Sequence, residues 1–147
     1  MDATTIRRHI GDEPPDLGNL IELASGEGHS FVLRTRVEWL DGTNRFDRPG
    51  EGFFLATAQG IVVGMGGLNV DPFLSDPTVG RLRHLFVAPE QRRLGIGRSL
   101  VQVCLDHVAG HFVRVRLRTF DPRASSFYRS VGFDSVDEDA ATHTIAL

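Results

Sequence analysis

The apolar positions of the chain change their spacing several times, and each spacing predicts a helix or a strand. From Gly97 to about Ala109 they recur at helical spacing, which predicts an amphipathic helix; the apolar residues are Leu100, Val101, Cys104, Leu105 and Val108. From Phe112 to Phe120 the period is two, because Val113, Val115 and Leu117 alternate with Arg114, Arg116 and Arg118. This period predicts a strand with one buried face and one solvated face of arginines.

Turn residues mark the limits of the other predicted elements. Two β-prone runs, Gly52 to Ala58 and Ile61 to Asn69, are joined by Gln59-Gly60 alone, which predicts an antiparallel hairpin. A further strand, Arg81 to Val87, ends before Pro89. The remaining predictions are a strand over Thr4 to Ile10, helices near Leu17 to Ala24, Phe31 to Leu40 and Arg123 to Val131, and a last hairpin of Phe133 to Val136 and Thr142 to Leu147.

The order of these elements is β, α, α, β, β, β, α, β, α, β, β. It predicts an α/β fold with a mixed, mostly antiparallel twisted sheet flanked by helices. The chain of 147 residues fits a single domain, 1–147, without repeats or linkers. Residues 41–51 form a long connection, for which we expect a lid or a pocket wall.

Composition excludes several functional classes. All 16 basic residues are arginine and 19 residues are acidic, so the net charge of −3 gives no general argument for nucleic-acid binding. No apolar run reaches the roughly 18 residues of a membrane helix, and the first ten residues lack a signal-peptide pattern, so we expect a cytoplasmic protein. The one cysteine, Cys104, is expected in the core, and the six histidines show no metal spacing, so no metal site is predicted.

Residues 87–100, with the sequence V-A-P-E-Q-R-R-L-G-I-G-R-S-L, join the strand to the amphipathic helix and favour an anion site. Glycines at 95 and 97 let a phosphate approach unpaired N–H groups at the start of the helix, and three nearby arginines add charge. A P-loop requires a lysine, which this chain lacks. A dinucleotide fingerprint fails because Leu100 stands where a small residue is needed.

Two segments carry a more specific pattern. The first is R-x-x-G-x-G over Arg92 to Gly97. The second, about 30 residues later, is D-P-R-A-S-S-F-Y-R-S-V-G-F over residues 121–133. Together they resemble the GCN5-related N-acetyltransferase (GNAT) family, whose second pattern is N-x-x-A-x-x-x-Y-x-x-x-G-F. Asp121 departs from it by replacing the asparagine, and the element order matches over nearly the whole chain.

The resemblance implies transfer of an acetyl group from acetyl-CoA to an amine in a ternary complex. In the family pantetheine lies between two diverging strands, here Arg81 to Val87 and Phe112 to Phe120. A backbone N–H near Val87 then polarises the thioester carbonyl, and Tyr128 matches the acid that protonates the departing thiolate. The implied acetyl-CoA contacts are Phe86, Val87, Arg92, Arg93, Leu94, Gly95, Ile96, Gly97, Arg98, Ser99, Asp121 and Ala124.

The residues expected around the acceptor depart from the family. Many members have a general base where this chain has Arg81 and Arg83, and arginine cannot accept a proton. The base therefore lies elsewhere, or water takes the proton. Both arginines suggest an acceptor with a carboxylate or phosphate, or they serve CoA or pair with nearby acids. Glu38 lies in the expected substrate wall, and the acidic run 137–139 either attracts an ammonium group or is simply a polar hairpin tip. Strand alternation predicts that His84 points away from both arginines, as a structural histidine.

Three functions stay open at this point. The acceptor is a small-molecule amine, or it is a protein or peptide amine. The third alternative is a non-catalytic, acetyl-CoA-binding regulatory module. Dimers are common in the family, so the resemblance is compatible with a homodimer, and neither a nucleic acid nor a membrane is expected as a partner.

Overall fold

The computed structural model describes residues 4–147, and its element order is the predicted one. The strands and helices are β1 (Thr5–Arg8), α1 (Gly18–Gly26), α2 (Phe31–Asp41), β2 (Gly52–Ala58), β3 (Ile61–Val70), β4 (Val79–Val87), α3 (Ile96–Val108), β5 (Arg114–Leu117), α4 (Pro122–Ser130), β6 (Asp134–Glu138) and β7 (Ala141–Ala146). A single 3₁₀ turn, Pro89–Gln91, follows β4. The main difference is β5, which has four residues instead of the predicted nine.

The seven strands form one sheet in the order β1-β2-β3-β4-β5-β7-β6. Neighbouring strands are antiparallel except β4 and β5, which run parallel, so the predicted mixed and mostly antiparallel sheet is confirmed. The parallel pair is in register at three positions, and Arg81 opposite Arg116 is the last of them. From Leu82 to Val87, β4 therefore has no partner on the β5 side, and the sheet opens into a gap.

The β2–β3 hairpin and α3 form as the sequence predicts. Gln59 and Gly60 have φ angles of 53° and 74°, the left-handed pair of a two-residue hairpin turn. All five predicted apolar residues of α3 are buried. This helix lies close against β3 because Gly64 and Gly66 have no side chains; an ideal Cβ at Gly64 would lie 3.1 Å from the side chain of Leu100.

Residues 41–51 are anchored to the core through two buried side chains, Phe46 and Glu51. Phe46 is only 2% exposed and packs against the rings of Trp39 and Phe53. The buried carboxylate of Glu51 accepts hydrogen bonds from the backbone N–H groups of Arg48 and Val70. The segment therefore supports the face of the sheet on which α2 lies.

Candidate active site

The loop between β4 and α3 presents a row of unpaired backbone N–H groups. Within residues 4–147, none of the N–H groups of residues 93–98 has a hydrogen-bond acceptor. Left-handed φ angles of 67° at Arg93 and 84° at Gly95 turn the loop into the first turn of α3. Consecutive N–H groups at the positive end of a helix form a cradle that suits a phosphate or pyrophosphate.

The side chains of this loop divide between the core and the surface. Ile96 is buried, whereas Arg93, Leu94 and Ser99 are exposed. Arg98 donates to the hydroxyl of Ser130 at 3.4 Å. An ideal Cβ at Gly97 would lie 3.4 Å from the ring of Phe127, an ordinary van der Waals distance, so α4 packs next to the loop at this position.

Arg92 is occupied by protein groups. Its Nη1 and Nη2 donate to the carboxylate of Glu27 at 2.8 and 2.6 Å, and its Nε donates to the carbonyl of Val87 at 3.0 Å. Its backbone N–H bonds to the carbonyl of Pro89. The sequence assigned this arginine to a phosphate; in the structure it instead ties the end of α1 to the end of β4. The hydrogen bond from Arg92 lowers the pKa of Glu27 below its ordinary value.

The open edge of β4 lies next to the cradle. The N–H of Ala88 donates to the carbonyl of Val63 in β3. Because backbone groups alternate along a strand, the N–H and carbonyl of Val87 point the other way, into the gap beside β5. Phe86 is buried on the face of α2, where its ring lies 6.0 Å from that of Phe31. This is the place where the sequence expected pantetheine and the N–H that polarises the thioester.

Tyr128 is mostly buried on α4. Its ring makes edge contacts with Phe127 and Phe133 and faces His143. Burial raises the pKa of its hydroxyl above the ordinary value, so the group stays protonated at neutral pH. In the part of the chain that the structure describes, this hydroxyl has no hydrogen-bond partner. It can therefore donate to a ligand.

Asp121 and Ala124 lie on the first turn of α4. The carboxylate of Asp121 accepts the N–H of Arg123 at 2.9 Å and caps the helix. The sequence assigned Asp121 to acetyl-CoA, but in the structure its carboxylate has this structural partner. Ala124 is half-buried.

Arg81 and Arg116 meet at the point where β4 and β5 separate. Both bind Oδ2 of the buried Asp71, at 3.5 and 2.8 Å respectively. Arg116 is only 1% exposed, so the predicted solvated arginine face is wrong at this position. The expectation that Arg81 faces the acceptor is also wrong, since its guanidinium is buried against Asp71 and Phe73.

One carboxylate of the acidic hairpin tip, that of Glu138, forms ion pairs within the protein. Oε1 of Glu138 binds Arg114 at 3.0 Å and Arg116 at 3.1 Å. The carbonyl of Asp139 accepts a further hydrogen bond from Arg116. These contacts hold the hairpin against β5, and they pair one of the three carboxylates of residues 137–139.

Arg83 and Glu38 remain as acceptor-binding candidates. Arg83 is half-buried and has one weak contact, to Oδ1 of Asn69 at 3.4 Å. Asn69 is held by the paired amide of Asn44, with both hydrogen bonds at 3.0 Å. Glu38 is half-buried on α2 and has no ion-pair partner among residues 4–147. One cation and one anion are therefore unneutralised on this face.

His84 does not follow strand alternation. The register of β3 with β4 shifts between Met65 and Gly67, and His84 has a φ of 61°, so one extra residue bulges here. Gly67 lies opposite Arg83, and a Cβ added at Gly67 would point at the ring of Phe46. Residues opposite each other share a face, so Arg83 lies on the same face as Phe46. The ring of His84 lies 5.9 Å from that same phenylalanine. His84 and Arg83 therefore share the face of α2, and the sequence expectation is wrong because of the bulge.

Sequence reasoning missed Glu27, Asp71 and Thr35. Glu27 stands between Gly26 and Gly28, and Asp71 stands between β3 and Pro72. A carboxylate next to the end of a helix or strand weakly indicates an ion pair. No sequence pattern predicts that Glu27 pairs with an arginine 65 residues away, or Asp71 with one 45 residues away. Thr35 gave no signal, because a threonine inside a helix most often bonds to its own backbone.

Two further properties of the described residues concern membranes and metals. No helix among them is long and apolar enough to cross a membrane. They also hold no group of three or more histidine, cysteine or acidic side chains that could bind a metal ion.

Comparison with known proteins agrees with the geometry. The model of the acetyltransferase (GNAT) family matches residues 18–133. A protein from Exiguobacterium sp. 255-15, assigned as an acetyltransferase, is 28% identical, with a TM-score of 0.86 over 98% of this chain and 93% of that one. An acetyltransferase from Streptococcus agalactiae shares the fold at 18% identity, with a TM-score of 0.77 over 98% of each chain.

A complex with coenzyme A is among the similar structures. It is the PaiA N-acetyltransferase of Thermoplasma acidophilum, 19% identical, with a TM-score of 0.72 over 99% of both chains. At this identity the likeness shows the fold alone. No curated protein sequence matches the chain.

Proposed function

The chain belongs to the GNAT acetyltransferase family, whose members use acetyl-CoA, and we propose that it transfers the acetyl group directly to the amine of a small molecule that carries a carboxylate. The observation that carries this proposal is the row of unpaired N–H groups at residues 93–98, next to the open edge of β4. A pyrophosphate in this cradle lets pantetheine run along Phe86 and Val87 like an added strand.

Two groups then act on the thioester. The N–H of Val87 points into the gap and stabilises the oxyanion that develops on the carbonyl. Such a donor contributes about 3 kcal/mol to the lowering of a barrier. The protonated hydroxyl of Tyr128 donates to the departing CoA thiolate. The hydroxyl carries its proton at neutral pH, and because burial raises its pKa it acts mainly as a hydrogen-bond donor to the thiolate.

Arg83 and Glu38 support the choice of acceptor. Arg83 has spare donors for a carboxylate, since Asn69 uses only Nη1 and only at 3.4 Å. The unpaired carboxylate of Glu38 attracts the ammonium form of an amine. Arg81 takes no part, because it is buried against Asp71. An amino acid or a similar zwitterion fits this pair better than a polyamine, which carries no anion.

The test is a thioester-release assay with amino acids, polyamines, aminoglycosides and peptide amines. Each amino acid is paired with its decarboxylated amine. We expect release of CoA with at least one carboxylated amine and a higher KM for its decarboxylated partner.

Arg83→Ala should raise the KM of the carboxylated amine by about 10- to 100-fold, the value of a hydrogen bond to a charged group. The exposed Arg36→Ala on α2 is the matched control and should leave KM unchanged. Preference for peptides would favour a protein acceptor. Binding of acetyl-CoA without transfer to any amine would favour a regulatory module.

A further inference from the structure

We propose that His84 accepts the proton of the acceptor amine through Nε2, and that Thr35 fixes the ring in the tautomer that makes this possible. This inference rests on the proposed function, and it supplies the base that is missing at Arg81 and Arg83. It also replaces the structural role that the sequence suggested for His84. It follows from the position of the bulge, the hydrogen bonds of Thr35 and the accessibility of Nε2.

The bulge places the imidazole on the unpaired part of β4, near the segment along which pantetheine is proposed to run. His84 lies on the part of β4 that has no β5 partner, two residues before Phe86 and three before Val87. The ring of Phe31 lies 6.1 Å from that of His84 and 6.0 Å from that of Phe86. The ring of Phe31 therefore contacts both the imidazole of His84 and Phe86, where pantetheine is expected. Arg83, the proposed acceptor contact, lies on the same face.

Thr35 determines which ring nitrogen carries the hydrogen. Its hydroxyl donates to the carbonyl of Phe31 at 2.9 Å and is also hydrogen-bonded to Nδ1 of His84. A threonine hydroxyl has one hydrogen, so both bonds exist together only if Nδ1–H is the donor to Oγ1. Nε2 of the neutral ring is then left with a free lone pair.

That lone pair can be reached from outside. Nε2 of His84 has no hydrogen-bond partner within residues 4–147. Among residues 4–147, Nη2 of Arg116 is the one fully buried side-chain nitrogen or oxygen without a hydrogen-bond partner. Because Nε2 of His84 also lacks a partner but does not belong to this class, it cannot be fully buried. Nε2 is therefore not completely enclosed, and we propose that an amine held by Arg83 contacts it.

The surroundings keep His84 neutral. The aromatic rings of Phe31 and Phe46 bury it, and two cations face it, Arg83 from β4 and Arg34 from α2. Burial and both charges lower the pKa of His84 to about 3. The ring is thus a proton acceptor at every physiological pH, although a weak one, so we expect its effect at the lower end of the range for general bases.

The ammonium group of the acceptor first loses one proton to solvent. The neutral amine nitrogen then forms a bond to the thioester carbonyl carbon, and the resulting ammonium adduct is a much stronger acid than the free ammonium ion. Its proton passes to Nε2 of His84 as the carbon–sulfur bond breaks. The thiolate takes the proton of Tyr128, and the proton on His84 returns through solvent to Tyr128. The products are an amide and free CoA.

The experiment uses His84→Gly, because glycine tolerates the φ of 61° and leaves a space the size of an imidazole. We expect kcat to fall about 100-fold with an unchanged Kd for acetyl-CoA. Added imidazole should restore the rate, and substituted imidazoles should restore it more strongly as their pKa rises. A compound that merely fills a cavity would show no such dependence on pKa. His111→Gly, an exposed histidine far from the gap, is the matched control.

Thr35 is tested separately, by ¹⁵N spectroscopy of the His84 ring. The spectrum should show Nδ1 protonated and Nε2 bare in the wild type and in Thr35→Ser. Thr35→Val should lose this preference, together with part of kcat. An Nε2–H tautomer in the wild type overturns the proposal.

Failure of this proposal can be separated from failure of the proposed function. If the wild type releases CoA with an amine but His84→Gly keeps the full rate, only the role of His84 is wrong. The same conclusion follows if imidazoles restore the rate without regard to their pKa. If the wild type binds acetyl-CoA and transfers to no amine, the proposed function fails, and the role of His84 falls with it.

Discussion

The guanidinium of Arg92 holds the carboxylate of Glu27 with both terminal nitrogens, at 2.8 and 2.6 Å. Glu27 ends α1, and Arg92 opens the R-x-x-G-x-G segment, so this ion pair fastens the α1–α2 connection to the phosphate cradle. The arginine also lies 5.4 Å over the ring of Phe86. The first residue of the motif thus supports the shape of the site, and we propose that the unpaired backbone N–H groups of residues 93–98 bind the phosphate.

This arrangement predicts a small effect of Arg92 on cofactor binding. Arg92→Ala and Glu27→Gln should each change the Kd of acetyl-CoA by less than about fivefold, because an exposed ion pair contributes about 0–1 kcal/mol. Isothermal titration calorimetry measures both. A large loss with Arg92→Ala alone would mean that the arginine leaves Glu27 and binds phosphate in the complex.

Gly95 should matter more for the cofactor than for the fold. It has a φ of 84° with open space around the missing Cβ, so Gly95→Ala strains the backbone of the cradle by about 1–2 kcal/mol. Gly60→Ala in the β2–β3 turn is a matched control, with a φ of 74° and the same open surroundings. We expect similar losses of thermal stability in both variants. Only Gly95→Ala should weaken acetyl-CoA binding, and equal binding by the two would contradict a role for the cradle.

Tyr128→Phe tests the proposed acid without disturbing its packing, since the ring is retained against Phe133. We expect kcat to fall about 100-fold while the Kd for acetyl-CoA stays within about twofold. The raised pKa of Tyr128 means that its hydroxyl stays protonated above pH 10, so the loss should be the same from pH 6 to pH 9. Equal kcat in the two proteins would exclude this role.

The sequence predicted much of the fold because local patterns carry it. The helical period of residues 97–109 places five side chains of α3 in the core, and Gln59-Gly60 determines the register of the β2–β3 hairpin. The site was less predictable, because its partners come from distant parts of the chain. The alternation rule also failed at His84 in β4, where one bulged residue reverses the direction of a side chain.

The sequence also failed to predict which charged side chains form buried ion pairs. Arginine at period two on a strand is usually solvated, yet Arg116 is buried, because Asp71 lies beside it at the junction of β4 and β5. Which carboxylate meets which arginine depends on strand order, and strand order is a property of the assembled sheet. Arg81 is not an acceptor contact for the same reason, because it pairs with Asp71. Arg83, two residues later, has only a weak contact with Asn69 and stays a proposed acceptor contact.

Asp71 should be important for stability. Asp71→Asn keeps the shape but leaves the buried Arg81 without a counter-charge and Arg116 with Glu138 alone, so we expect a loss of about 3 kcal/mol in the free energy of unfolding. Urea denaturation followed by circular dichroism measures this loss. Asp76→Asn is the control, because Asp76 is exposed and its hydrogen bonds to Thr78 can be made by an amide oxygen. Comparable curves for both variants would contradict the importance of the junction.

Cys104 should make stability depend on pH in the alkaline range. It is buried on α3, and burial raises the pKa of its thiol to about 12, whereas an unfolded cysteine titrates near 8.5. Between these values the unfolded chain releases a proton that the folded chain keeps. The contribution of the thiol to stability is therefore complete below about pH 8 and declines as the pH rises toward 12.

The measurement compares the free energies of unfolding of the wild type and Cys104→Ala from pH 7 to pH 10.5. The alanine variant loses packing at all pH values, so the wild type should be the more stable protein at pH 7. The difference between them should then shrink with rising pH, because only the wild type gains a thiolate on unfolding. A thiol reagent should also react with native Cys104 far more slowly than with the unfolded chain at pH 8. A constant difference in stability, or rapid labelling of the native protein, would show that the thiol is not enclosed by α3 and its neighbours.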